Sequence, residues 1–183
     1  MREMTVDLRT GIVRILKPNG ETSGTGFVVT DDGLIVICAH VVEAAGAGPG
    51  DSVHIVFHAI GEERGARMKL ARWRNPDAED VAILRPERSL PEGVTSLLLG
   101  SSGGTSSYPF KTFGFLDASP EEGIWGDGHI LEATKMQGMQ VLQLSSPQIT
   151  PGFSVLSSFS GSRRRTQAQS PIPWLCLFKP LVL

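Results

Sequence analysis

Cysteine is nearly absent from this chain of 183 residues, which has only Cys38 and Cys176. Two cysteines make no disulfide framework, so packing must hold the fold, and a reducing, cytoplasmic setting is expected. Long apolar runs are missing as well. No stretch reaches the roughly 18 apolar residues of a membrane helix, and the opening MREMTVDLRTGIVRIL lacks the continuous apolar core of a secretory leader. No membrane partner is therefore expected. Nor is there a surplus of positive charge: the net charge is −2, which gives no electrostatic reason to expect nucleic acid as a partner. What remains, 40% hydrophobic and 20% charged, is ordinary for a globular protein. The length suits one medium domain or two small ones.

Short β-rich runs punctuated by Gly, Pro, Asn and Asp dominate the pattern, which predicts an all-β barrel or sandwich. Six strands are expected at 11–17, 23–30, 34–38, 52–59, 68–74 and 81–84, with turns at Pro18-Asn19-Gly20 and Asp31-Asp32-Gly33. A short helical turn is expected after His40, where Val41-Val42-Glu43-Ala44-Ala45 runs into the glycine-rich 46–50. The polar segment 86–93 reads as a linker. Beyond it, strands are expected at 94–99, 108–116, 129–135 and 139–144, the last two joined through Gln137-Gly138. After Ser154 the character changes. Residues 155–183 hold three arginines and one lysine but none of the chain's 19 acidic residues, and the apolar end is broken by Pro173 and Pro180. This stretch reads as a divergent, irregular tail.

Three residues could carry chemistry. His40 closes the apolar run Leu34-Ile35-Val36-Ile37-Cys38-Ala39, so its ring stands at an element end, where an imidazole can act as a base near neutral pH. A lone histidine is more often structural. Asp80 precedes Val81-Ala82-Ile83-Leu84; such an aspartate is commonly a turn residue or cap, but it can also orient an imidazole. Ser154 ends Thr150-Pro151-Gly152-Phe153-Ser154. A Gly-x-Ser turn can aim two N–H groups into one hollow, as acyl transfer requires, or be a plain loop.

Taken together, the signals are more specific. Ser23-Gly24-Thr25-Gly26-Phe27-Val28-Val29, Asp32-Gly33-Leu34-Ile35-Val36 and Ala39-His40-Val41-Val42 resemble the first barrel of trypsin-like (chymotrypsin-fold) serine peptidases. The similarity is greatest to the bacterial, disulfide-free kind that includes the HtrA-type proteases. Asp80-Val81-Ala82-Ile83-Leu84 is similar to that family's aspartate strand, and 149–154 to its nucleophile loop. The order His, Asp, Ser matches this family and not subtilisins or α/β-hydrolases. The resemblance implies two antiparallel β-barrels, 10–85 carrying His40 and Asp80 and 94–154 carrying Ser154, the second incomplete. It implies a serine endopeptidase acting on polypeptides, with His40 as base, Asp80 as its orienter and Ser154 as nucleophile. The N–H groups of Gly152 and Ser154 would form the oxyanion hole, and Gln148 would stand at the base of the specificity pocket. No metal or cofactor is implied.

Two departures separate the chain from the family pattern. Phe153 stands where digestive members have an aspartate that pairs with a newly released N-terminus, so activation of that type is not expected. Val155 stands where the family has glycine, and a β-branched residue in a strained backbone site costs about 1–3 kcal/mol. The strands that wall the specificity pocket are not legible in 155–183. The alternative is therefore a catalytically inactive protease-like binding or regulatory module, or a truncated protease, such as a domain or fragment of a larger signalling protein. An esterase using the same triad is a third reading. Among other candidates, His54 and His58 could be a metal pair but lack a third ligand. Cys38 reads as a small buried hydrophobe.

Overall fold

The computed structural model of the chain describes residues 7–97, 106–116, 119–136, 139–147 and the pair 158–159. It divides into two compact units, Met1–Leu98 and Leu99–Leu183. Strands dominate both. No helix among the described residues is long and apolar enough to cross a membrane.

The first unit is a closed antiparallel barrel of six strands: β1 (Ile12–Leu16), β2 (Thr22–Val28), β3 (Ile35–Ile37), β4 (Ser52–Phe57), β5 (Glu62–Met68) and β6 (Ala82–Pro86). Around the barrel they run β1-β2-β3-β6-β5-β4, and β4 closes back on β1. Sequence neighbours pair as hairpins, while the β1–β4 and β3–β6 ladders are the long-range closures. The interior is aliphatic and aromatic: Val13, Ile15, Phe27, Val28, Ile35, Ile37, Ile55, Phe57 and Leu84 are all at most 2% exposed. Each such side chain contributes about 1.5–3 kcal/mol on burial, which lets the barrel dispense with crosslinks. Between β2 and β3, Gly33 takes φ +90°, a turn conformation that costs glycine nothing. The expected helical turn is present as α1 (Ala39–Ala44), and it includes His40 itself.

Two expected strands are corrected. The one foreseen at 68–74 lies earlier, as β5, and Leu70–Arg72 is instead a 3-10 turn with Leu70 69% exposed. The charged sequence Glu62-Glu63-Arg64-Gly65-Ala66-Arg67-Met68 conceals β5, because only Ala66 and Met68 are buried while β4 and β6 satisfy its backbone on both sides. Residues 94–97 are not a strand either. They are held on the barrel by single bonds, the Thr95 N–H to the Thr10 carbonyl at 3.2 Å and the Leu97 N–H to the Val28 carbonyl at 2.8 Å. Leu97 is buried against Gly11, where an added Cβ would lie 2.5 Å from its Cγ.

The second unit is a four-stranded sheet in the order β10-β7-β8-β9, built from β7 (Pro109–Leu116), β8 (Ser119–Met136), β9 (Met139–Ser145) and β10 (Ser158–Phe159). β8 is far longer than the segment foreseen at 129–135, because it pairs with β7 along its first half and with β9 along its second. Three glycines and two exposed glutamates hide the first half from a search for alternation. Phe110, Phe113, Phe115 and Ile130 are buried, and Phe113 packs edge-on against Phe115 and Trp125 at centroid distances of 5.6 and 5.1 Å. Among the described residues this sheet is open, not closed into a barrel. The pairing of Ser158 with Lys111 and Phe159 with Phe110 falls in the tail, whose sequence shows no strand pattern. The rest of 155–183, including Val155, lies outside the described residues.

Candidate active site

β3 ends at Ile37, and Cys38 turns the chain in extended conformation into α1. A helix leaves its first N–H groups without intrahelical partners. Cys38, at the cap position, makes no side-chain capping bond, and the partner comes from 40 residues away. The Asp80 Oδ1 accepts the His40 backbone N–H at 2.9 Å, and the Asp80 carbonyl accepts the Ala39 N–H at 3.3 Å. Asp80 is thus a non-local cap for α1.

The second carboxylate oxygen of Asp80 lies 2.5 Å from Nδ1 of His40. One carboxylate therefore grips both the backbone and the ring of the same histidine, fixing the ring's rotation as well as its position. The two partners differ in access: the Asp80 side chain is 8% exposed and that of His40 is 42% exposed. A buried carboxylate needs such partners, since an unpaired charge would be strongly disfavoured. With Nδ1–H donating to Asp80, Nε2 carries the free lone pair and is the nitrogen able to accept a proton. The expected pairing of His40 with Asp80 is thus present geometrically. Ser154, Gly152 and Gln148 lie outside the described residues.

Donor atoms of Cys38, His40 and Asp80 all fall within 4.8 Å of one another. Cys38 is 1% exposed. Two ligands of one tetrahedral ion at about 2.0–2.2 Å are more than 3 Å apart, whereas His40 Nδ1 and Asp80 Oδ2, 2.5 Å apart, are in direct hydrogen-bonding contact. As it stands, the trio fits a hydrogen-bonded dyad beside a buried thiol. Among the described residues, His54 and His58 belong to no group of three candidate ligands. His54 is exposed and faces Glu63 at 3.1 Å, while His58 follows β4 and has its pKa lowered, first by burial and then by the charges of Arg14 and Arg9. His129 is exposed on β8.

What the sequence reading missed is the device that delivers Asp80. This residue takes φ +53°, left-handed backbone that Asp tolerates better than most residues. The Asn75-Pro76-Asp77 turn signal was the available clue.

A closed six-stranded antiparallel barrel that presents a histidine gripped by a buried aspartate defines a domain of the trypsin-like class. Residues 24–154 match the trypsin-like peptidase domain family, and the chain belongs to that family. No curated protein matches it. Solved structures similar in fold include an HtrA-type protease, AlgW, with a decapeptide (16% identity over 78% of this chain and 49% of that one, TM-score 0.57). The Rv3671c protease of M. tuberculosis in an inactive form is similar at 18% identity, over 76% of this chain and 66% of that one, with TM-score 0.56. The MamO protease domain of Magnetospirillum magneticum, in its apo form, is 13% identical over 80% of this chain and 75% of that one, with TM-score 0.52. The chain spans about half the length of the first of these, 49%. Membership of a peptidase family supports a protease function.

Proposed function

We propose that the chain is a serine endopeptidase, or the protease part of a larger protein, that cleaves polypeptides through His40, Asp80 and Ser154. The observation that carries this reading is the two-point grip of Asp80 on His40, at 2.9 Å to the backbone N–H and 2.5 Å to Nδ1. A capping aspartate needs only the first contact; orienting a base needs the second. In this mechanism Nε2 of His40 takes the Ser154 hydroxyl proton as Oγ attacks the scissile carbonyl. The oxyanion is held by the N–H groups of Gly152 and Ser154, and Asp80 stabilises the imidazolium. His40 then protonates the leaving amine, and water repeats the sequence on the acyl-enzyme. No cofactor enters. Gln148 would contact the substrate side chain. The scarcity of cysteine suits a cytoplasmic setting.

Val155 favours a second reading, an inactive protease-like binding or regulatory module. Incubating the chain with a mixed peptide library and reading new termini by mass spectrometry separates the two. Cleavage by the wild type and none by Ser154→Ala is expected. Intact peptides from folded protein would instead support the inactive module, and turnover of esters alone would support an esterase.

A further inference from the structure

Asp80 is the buried half of the dyad, yet it ends an exposed loop. The loop is closed at its base by the Arg74 N–H donating to the Val81 carbonyl at 2.7 Å, with the Lys69 N–H on the Ile83 carbonyl at 2.9 Å beyond it. Inside the loop Asn75 is the hub. Its carbonyl accepts the N–H of Ala78 at 2.9 Å and that of Asp80 at 3.1 Å, and its side-chain Oδ1 accepts the Asp77 N–H at 2.7 Å. Pro76, between them, has its φ fixed by the ring and no N–H to satisfy. A short amide side chain bonding two residues ahead copies a backbone turn and holds it closed. Arg74 and Glu79 also approach to 3.5 Å, but both are more than half exposed, and such pairs contribute little.

Asp80 leaves this loop with φ +53°, anchored on both sides. Its N–H is held by Asn75 and its carbonyl by Ala39. The Asn75 backbone carbonyl and the Ala39 N–H thus hold the Asp80 backbone on either side of the carboxylate that contacts Nδ1 at 2.5 Å. We propose that Asn75 is a positioning residue for the dyad: its side-chain oxygen closes the loop that sets Asp80 at the angle needed to hold the His40 ring. The proposal rests on the reading of His40 and Asp80 as catalytic, but its first readout needs no turnover.

The experiment compares Asn75→Ala, which removes the acceptor, with Asn75→Asp, which keeps one, in the full chain. Asn75 is exposed, so neither change removes core packing. The Nδ1 proton of His40 should give a far-downfield NMR resonance in the wild type and in Asn75→Asp. In Asn75→Ala it should broaden through faster solvent exchange. Since misplacing a catalytic group by about 1 Å costs on the order of 100-fold, a smaller slackening should lower kcat about tenfold, with KM unchanged and rescue by Asn75→Asp. If Asn75→Ala fails to fold, Asn75→Ser, whose hydroxyl accepts the same N–H more weakly, should show a smaller loss of the same kind. A resonance unmoved by either variant, even with a lowered melting temperature, would reduce Asn75 to a structural residue and overturn the proposal. So would an Asn75→Asp variant as impaired as Asn75→Ala. Absence of turnover in the unmodified chain would count against the peptidase reading, while the resonance would still decide the role of Asn75.

Discussion

Replacing Asp80 with asparagine keeps the shape of the dyad and changes its polarity. Asparagine tolerates left-handed backbone as aspartate does, so φ +53° and the bond from the Ala39 N–H to the residue 80 carbonyl should survive. The amide has one acceptor where the carboxylate had two. If its oxygen stays on the His40 N–H, now at 2.9 Å, the NH2 group must face Nδ1. Nδ1 then gives up its proton, Nε2 is protonated, and His40 cannot accept a proton from serine. The same exchange in trypsin-like enzymes lowers turnover about 10⁴-fold, a figure carried over from that class. Stability should change far less. Two charge-assisted bonds of about 1.5–3 kcal/mol become neutral ones of about 0.5–1.5 kcal/mol, and relief from burying a carboxylate offsets part of the loss. A net cost of about 1–2 kcal/mol corresponds to a melting temperature lower by about 4–10 °C for a unit of this size. Nitrogen NMR of His40 at pH 8 reads the tautomer directly, alongside peptide turnover and thermal melting. Asp77→Asn is the control, because Asp77 engages the loop through its backbone N–H. A retained Nδ1 proton in Asp80→Asn, or equal effects of the two substitutions, would refute the reasoning.

Gly24→Ala should displace α1, since the new Cβ would lie 2.7 and 2.8 Å from the two methyl carbons of Val41. A stability loss of about 1–3 kcal/mol in denaturant titration is expected for such overpacking. Gly128→Ala should destabilise the second unit, because its Cβ would collide with the Ser145 backbone carbonyl on β9; proteolysis within 106–147 should quicken while the first barrel stays protected. His58 supplies a pH dependence. Its pKa is lowered from 6.5 by burial and by Arg14 and Arg9, with Asp7 opposing. The unfolded chain therefore binds the proton first as pH falls through 6.5, and stability present above that pH is lost below it. His58→Gln should flatten the melting temperature between pH 7 and about pH 5; an unchanged slope would assign the dependence elsewhere.

Much of the first barrel was legible because its strands alternate or are wholly apolar and are punctuated by Gly and Asp. His40 and Asp80 were legible as a pair only through the family pattern, since 40 residues separate them and nothing local links an imidazole to a distant carboxylate. β5 was hidden because its stability comes from ladders on both flanks, not from its own hydrophobicity. The apolar look of Leu70 suggested a strand where the chain makes an exposed turn. The first half of β8 was hidden by Gly123, Gly126 and Gly128, of which Gly123 lets two phenylalanine rings and Gly128 the neighbouring backbone approach closely. Asn75 carried an ordinary turn signal; its relation to Asp80 emerges only when the loop's hydrogen bonds are traced.

The proposed role of His40, held by Asp80, is that of base for Ser154. Its most direct test is the rate at which a fluorophosphonate modifies Ser154 in the wild type and in His40→Ala, with the labelled residue located by mass spectrometry. Labelling is expected at Ser154 alone and should fall by several orders of magnitude in His40→Ala, in line with the interdependence of triad members. Labelling at Cys38 or at another serine, or a rate at Ser154 that does not change when His40 is removed, would contradict it.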